Sequence, residues 1–334
     1  MLRLNPPAHR RHAGFSLIEL MIAMVLGIIL TAGVVTLFVH SRQSFSQDES
    51  VARMQDEGRY ALQEIARDLQ MAGYLGEPLL PVAIALDPTL AIDADCGDPG
   101  QANWIYNLTD AATGDINTLT SVDNADGGAA AAEFSCIDGG ELVVDTDVVG
   151  VKRIAGNALA PADVEAGNVY LRSNNTLGIL YQDPPSVTPV PAPFNDWEYR
   201  PRIYFIRSYS NVAGDGIPSL CRKVLVGGGT PTMSTECIAQ GIEDLQVEYG
   251  LDTNGDGSVN RYLTNPTLAE LQQAVSARVY LRARTLVEDR RYTDNRTYTI
   301  SNAPVATPAD NFHRRVYSTT VTIHNLRNMQ RLGI

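Results

Sequence analysis

The chain has 334 residues, 44% hydrophobic and 19% charged, with a formal charge of −12. That balance belongs to a folded chain and excludes collagen, low-complexity disorder and a multi-span transporter. The acidic excess also argues against a nucleic-acid partner, because a phosphate backbone needs a basic surface.

Residues 1–14 are short and basic, with Arg3, Arg10 and Arg11 and no acid. Phe15 to Val39 follows as an almost wholly apolar run of 25 residues. At about 1.5 Å per residue it predicts a helix of roughly 37 Å, enough to cross a hydrocarbon core of about 30 Å. Basic residues before the span place the N-terminus in the cytoplasm and the bulk of the chain outside. A cleaved secretory signal fits less well. Its apolar core is typically about 7–15 residues and ends in an A-x-A-like site, whereas this run is longer and continues into His40-Ser41-Arg42-Gln43. Glu19 breaks the apolar pattern. A carboxylate inside a membrane span costs roughly 2.5–3.5 kcal/mol on insertion scales, so it calls for a cation at the same depth. A cut between Gly14 and Phe15 would create one, an α-amino group about one turn before Glu19, on the same chain or on an adjacent copy.

The helical pattern continues past the membrane. Val51, Met54, Gly58, Leu62, Ile65, Leu69 and Ala72 recur at three- and four-residue steps and make one apolar stripe. The spacing predicts one continuous helix over 15–72, with Gly73 as its C-terminal cap. Gly27, Gly33 and Gly58 are weak points within it. After residue 74 the pattern changes to strands and loops. Strands are predicted at 142–151, 168–172, 202–207, 220–226 and 242–249. The clearest alternation is Val275, Ala277, Val279, Leu281, Ala283, Thr285 and Val287, with Ser276, Arg278, Tyr280, Arg282 and Arg284 on the other face. Tyr317, Thr319, Val321 and Ile323 give a last strand. Asn265-Pro266, with Leu268 and Leu271 beyond, predicts a short helix. Residues 183–201 hold six prolines and read as a loop or linker. The expected class is α+β: a long N-terminal helix packed on an antiparallel sheet head with long loops.

Charge is unevenly spread. Asp68 to Val151 carries fifteen acids and no Lys or Arg, while Arg278 to the end has ten Arg against four acids. A solvated acidic face with an Arg-laced sheet face accounts for this. Charge-complementary docking between copies or partners is the alternative.

Gly14-Phe15-Ser16-Leu17-Ile18-Glu19-Leu20, behind its basic leader, resembles the signature of type IV prepilins and type II secretion pseudopilins. The resemblance implies cutting between Gly14 and Phe15 by an inner-membrane prepilin peptidase, N-methylation of Phe15, and pairing of Glu19 with a neighbouring subunit's amine during assembly. The head resembles PilW-type minor pilins in Asp68 to Tyr74, Gly216 to Arg222, Gly241 to Tyr249 and Arg315 to Arg327. The implied divisions are a cleaved leader (1–14), a transmembrane and filament-core half of the helix (15–39), its amphipathic half (40–73) and a periplasmic head (74–334). The implied role is a structural minor pilin that joins other minor pilins and the major pilin, anchored in the inner membrane and then inserted into a pilus it helps to prime. A minor pseudopilin of the J type in a secretion system is the nearest alternative. A single-pass periplasmic binding protein is the alternative of another class.

Export makes disulfides the expectation for the four cysteines. Three pairings exist. Cys96–Cys136 and Cys221–Cys237 are favoured, since each joins sequence neighbours across a loop-rich stretch. With no C-x-x-C, and with His40, His313 and His324 the histidines beyond the leader, zinc is not expected. Asp252, Asn254, Asp256, Ser258 and Asn260, with Gly257 at the sixth position, match the front of an EF-hand-type calcium loop. Leu263 stands where a bidentate Glu belongs, and an Asn-Gly, Asp-Gly turn is the competing reading. No cofactor is required. The motifs of acyl-transfer, zinc, phosphate-loop and dinucleotide enzymes are absent from the sequence, so no catalysis is expected.

Overall fold

The computed structural model describes residues 14–76, 83–93, 96–97, 104–110, 113–174 and 176–326. The basic leader with Arg3, Arg10 and Arg11, and Arg327 at the end of the last matched block, lie outside the described residues. The chain divides into two units, Met1–Glu49 and Ser50–Ile334.

The first unit holds the N-terminal part of helix α1 (Leu17–Gln70). Residues 14–46 are all exposed in the single chain, and this stretch is long and apolar enough to cross a membrane. Two hydroxyls inside it are internally satisfied. Thr31 Oγ1 donates to the Gly27 carbonyl at 2.7 Å and Thr36 Oγ1 to the Gly33 carbonyl at 2.8 Å. Each bond removes a donor that lipid could not accommodate.

In the second unit α1 buries Met54, Gly58, Ala61, Ile65, Asp68 and Leu69. The apolar stripe is thus one face of the helix, as its spacing requires, with one acid set into it. Gly58 is more than a weak point: a Cβ there would lie 2.6 Å from the Tyr317 ring. The helix ends at Gln70, and Gly73, left-handed at φ 73°, turns the chain so that its N–H donates to the Lys152 carbonyl at 3.1 Å instead of capping the helix.

Thirteen strands follow among the described residues: β1 (Ile84–Leu86), β2 (Leu119–Ala125), β3 (Thr146–Val151), β4 (Val169–Ser173), β5 (Gly178–Gln182), β6 (Asn195–Glu198), β7 (Arg202–Arg207), β8 (Ser219–Val226), β9 (Thr232–Gln240), β10 (Ile242–Leu251), β11 (Arg261–Leu263), β12 (Ala274–Arg284) and β13 (Arg314–Thr322). Two short helices, α2 (Gly127–Glu133) and α3 (Leu268–Leu271), complete the head. The strands form three sheets, ordered β2-β3-β7-β8-β9, β11-β10-β12-β13 and β1-β5-β4-β6. Every pairing is antiparallel except β1 with β5. The α1 face joins side chains of β3, β7, β10 and β12 in one core. A second core gathers Trp104 and Phe134, whose rings pack on Gly150 of β3 where no side chain could fit.

The structure adjusts several expected elements. The 142–151 strand begins at Thr146, with Leu142 reduced to an isolated bridge to Arg207. The proline-rich 183–201 stretch contains β6. β12 stops at Arg284, leaving Val287 exposed beyond it. The helix expected after Pro266 is α3, opened by a capping box between Thr267 and Glu270.

Candidate functional site

The described part of the N-terminal signature spans the start of α1. Gly14, Phe15 and Ser16 are exposed and precede the helix, so the Gly14–Phe15 bond is not sequestered in helical hydrogen bonds. Ser16 stands at the N-cap and Glu19 three residues on. The Ser16 main-chain N–H donates to Glu19 Oε2 at 3.0 Å. This is the reciprocal half of an S-x-x-E capping box, a pattern legible in the sequence. It satisfies one of the orphan donors of a helix start that enters lipid. It also holds the carboxylate back toward the position a new terminus would occupy.

At the other end of α1 lies a buried charge cluster. Asp68 is fully buried. Arg153 donates from Nε and Nη2 to Asp68 Oδ1 at 2.8 and 2.5 Å. Arg202 Nη1 donates to Oδ2 at 2.9 Å, and the Tyr204 hydroxyl donates to the same oxygen. One turn earlier Glu64 accepts from Arg222 at 3.0 Å. Burial, with Asp68 adding to it, pushes the Tyr204 phenol well above its usual range. Asp68 therefore fixes the helix by charge to β7 and to Arg153 just beyond β3, while Glu64 ties it to β8. Its place in an apolar stripe is what hid it from the periodicity.

Lys152 is also fully buried. Its ammonium donates to the carbonyls of Asn107 and Asn117 at 2.8 and 2.7 Å and sits 4.5 Å from the Trp104 ring centre. It ties the acidic 104–117 stretch to the sheet. The Arg excess at the C-terminal end is largely engaged within the head. Arg314 bonds Glu243 and Asp310, Arg282 bonds Glu243 and Asp244, and Arg296 bonds Asp294.

Both disulfides join sequence neighbours. Cys221 and Cys237 are partners across the β8–β9 register and are bonded. Cys96 is bonded to Cys136. Each cross-link limits the freedom of the unfolded chain, worth roughly 2–4 kcal/mol in typical cases.

The Asp252–Asn260 loop connects β10 to β11 and is held by its own side chains. Asp252, which is buried, accepts the Gly255 and Gly257 N–H groups at 2.7 and 2.5 Å. Asp256 accepts from Ser258 N–H and Asn254 Nδ2, and Asn260 accepts from Thr253 N–H. Leu263 lies in β11. Among the described residues no three His, Cys, Asp or Glu side chains gather into a metal cluster.

Asp147 of β3 is a further buried acid, and it clamps two sheets. Its oxygens accept the Asn124 N–H of β2 at 2.9 Å and the Val247 N–H of β10 at 2.7 Å. Burial raises its pKa to about 8, against the pull of those two N–H groups and with Asp123 and Asp244 adding to the rise. Burial raises Asp244 as well. A carboxyl raised in the fold binds a proton that the unfolded chain has already released. Its stabilisation is complete below the unfolded value near 4 and is lost as pH rises through about 8. Asp215, held at about 2 chiefly by the Ile217 N–H, runs the other way but is flat in this window. The melting temperature is therefore expected to fall between pH 5 and 8. Asp147→Asn should flatten that slope, and an unchanged slope would contradict the assignment.

The comparisons with known proteins divide along the chain. Residues 203–325 match the family model described as Type IV Pilus-assembly protein W, PilW. Residues 9–35 match the prokaryotic N-terminal methylation motif. No curated protein matches the chain. Among solved structures it is similar to a type IV-like pilin from Thermus thermophilus, at 14% identity over 82% of this chain and 98% of that one, with a TM-score of 0.35. That likeness is too loose to carry topology. The methylation motif falls on the apolar start of α1, and the assembly-protein region falls on β7 to β13 and the segment after it. Residues 203–325 form a PilW domain behind a prokaryotic methylation motif, a pilin-like arrangement that fits an inner-membrane anchor in the apolar half of α1 with the head in the periplasm.

Proposed function

We propose that the protein is a structural, non-catalytic subunit that helps prime pilus assembly together with other minor pilins, and that it contacts the major pilin. Prepilin peptidase cuts between Gly14 and Phe15 and Phe15 is N-methylated. Glu19 then pairs with the amine of a neighbouring subunit. The observation that carries this reading is the geometry of Glu19: a carboxylate in an apolar helix, turned back to the Ser16 N–H and next to the terminus that cutting would expose. One of its oxygens is bound by that N–H, and among the described residues no cation pairs with the acid. The test is in-membrane cross-linking to other pilins with and without Glu19→Ala. Deletion separates this reading from a secretion pseudopilin: loss of surface filaments supports it, and loss of secretion with filaments intact overturns it.

Calcium at the Asp252–Asn260 loop is a separate proposal, resting on the spacing of its oxygens. Calorimetry of the full chain in detergent at millimolar calcium is expected to show heat of binding that Asp256→Ala abolishes. No heat removes the proposal.

A further inference from the structure

The sheet edges of the head are unequal. β1 and β11 have three residues each. β6 is short and carries Asp196 and Glu198. β2 carries Asp123 and a register shift between Val122 and Ala125. β9 carries Glu236, is bridged at Thr232 by Asp93, and is tied at Gln240 to Glu57 of α1. These are the devices that keep an edge from pairing with another chain: brevity, charge, bulges and cover. Past the Arg314-Arg315 pair at its start, β13 has none of them among the described residues. It pairs with β12 in unbroken register from Thr322 to Arg314. Between Arg315 and His324 runs Val316-Tyr317-Ser318-Thr319-Thr320-Val321-Thr322-Ile323, without charge, Gly or Pro. Its residue types favour strands.

The direction of the free main-chain groups follows from the ladder. The Ile323 N–H donates to the Val275 carbonyl, and the Thr285 N–H donates to the His313 carbonyl, both at 2.9 Å. Antiparallel alternation then turns the odd residues of β13 toward β12 and the even ones outward. Arg314, at an even position, agrees: its carbonyl accepts from Arg296 Nη2 at 3.1 Å, which closes that end of the edge. Val316, Ser318, Thr320 and Thr322 are all exposed. Beside them the surface is basic. Arg315 and Arg59 are exposed, both act on Tyr317 with Asp56 as the opposing charge, and neither has an ion pair among the described residues.

The geometry points to β13 as a docking edge for an extended, acidic segment of another subunit, added as a further strand. Main-chain bonds to the even residues supply the pairing, and Arg315 with Arg59 selects the charge. The proposal does not rest on the priming role, because binding can be read without filaments.

The test uses the full chain in detergent and three eight-residue fluorescent peptides: alternating Val/Thr with Glu, the same with Lys for Glu, and the Glu peptide N-methylated at alternate amides. The Glu peptide is expected to bind about tenfold more tightly than the Lys peptide, and the N-methylated peptide is expected not to bind. Thr320→Pro removes an outward N–H that the β12 ladder does not use, so it abolishes binding with the unfolding midpoint kept. Arg315→Glu, which leaves the backbone alone, reverses the charge preference. Binding of no peptide, equal binding of Glu and Lys peptides, or binding indifferent to both variants overturns the proposal. Self-association of the chain that Thr320→Pro removes assigns the edge to a second copy and overturns the acidic partner.

Discussion

Glu19→Ala is expected to leave the protein in the membrane at wild-type level while its cross-links to other pilins fall by about tenfold or more. Alanine removes a charge whose burial costs roughly 2.5–3.5 kcal/mol, so insertion itself improves. What is lost is the partner for a neighbour's amine, which then has no counter-ion at its depth. Glu19→Gln separates two roles of the side chain. Its amide oxygen still accepts the Ser16 N–H, now bonded at 3.0 Å, so the start of the helix is kept. It carries no charge, so neighbours are lost as with alanine. Full cross-linking by the Gln variant would reduce Glu19 to a helix cap, and full cross-linking by both would remove it from assembly.

The largest effect on the head is expected from Asp68→Ala. Arg153 is almost wholly buried, and its main bonds run to Asp68, with one more to the Ile154 carbonyl at 3.1 Å among the described residues. Removing the acid strands a guanidinium in the interior and leaves Arg202 and Tyr204 without a common acceptor. Breaking one side of a buried pair costs about 3–5 kcal/mol. Asp68→Asn should lose nearly as much, since a neutral amide does not offset the charge. Glu64→Ala should cost less, because Arg222 keeps Glu236 and Arg202 keeps Asp68. Denaturant titration of the three variants checks the order. Equal losses for Asp68 and Glu64 would mean that the cluster is not centred on Asp68.

The parts of the molecule that obey a single period were legible from residues alone. The helix came from steps of three and four, and β12 from strict alternation. The periods failed where another force decided. Asp68 sits on the apolar stripe because Arg153 and Arg202 reach it from strands far along the chain, and no local pattern records that. β6 was concealed by surrounding prolines, although Asn195–Glu198 pairs with β4. β9 is rich in polar residues because it forms an edge, joined to β8 by its main-chain ladder and the Cys221–Cys237 disulfide. In the N-terminal signature the residue types carried the reading. The S-x-x-E cap is equally visible in those residues, beside the intramembrane charge.

Everything proposed for assembly depends on a terminus created at Phe15. The most direct measurement is the intact mass and N-terminal sequence of the protein extracted from membranes of cells that make pili. The account predicts a chain that begins at Phe15 and carries one added methyl group on its amine. A chain that keeps its leader, or one cut beyond Val39, would contradict it.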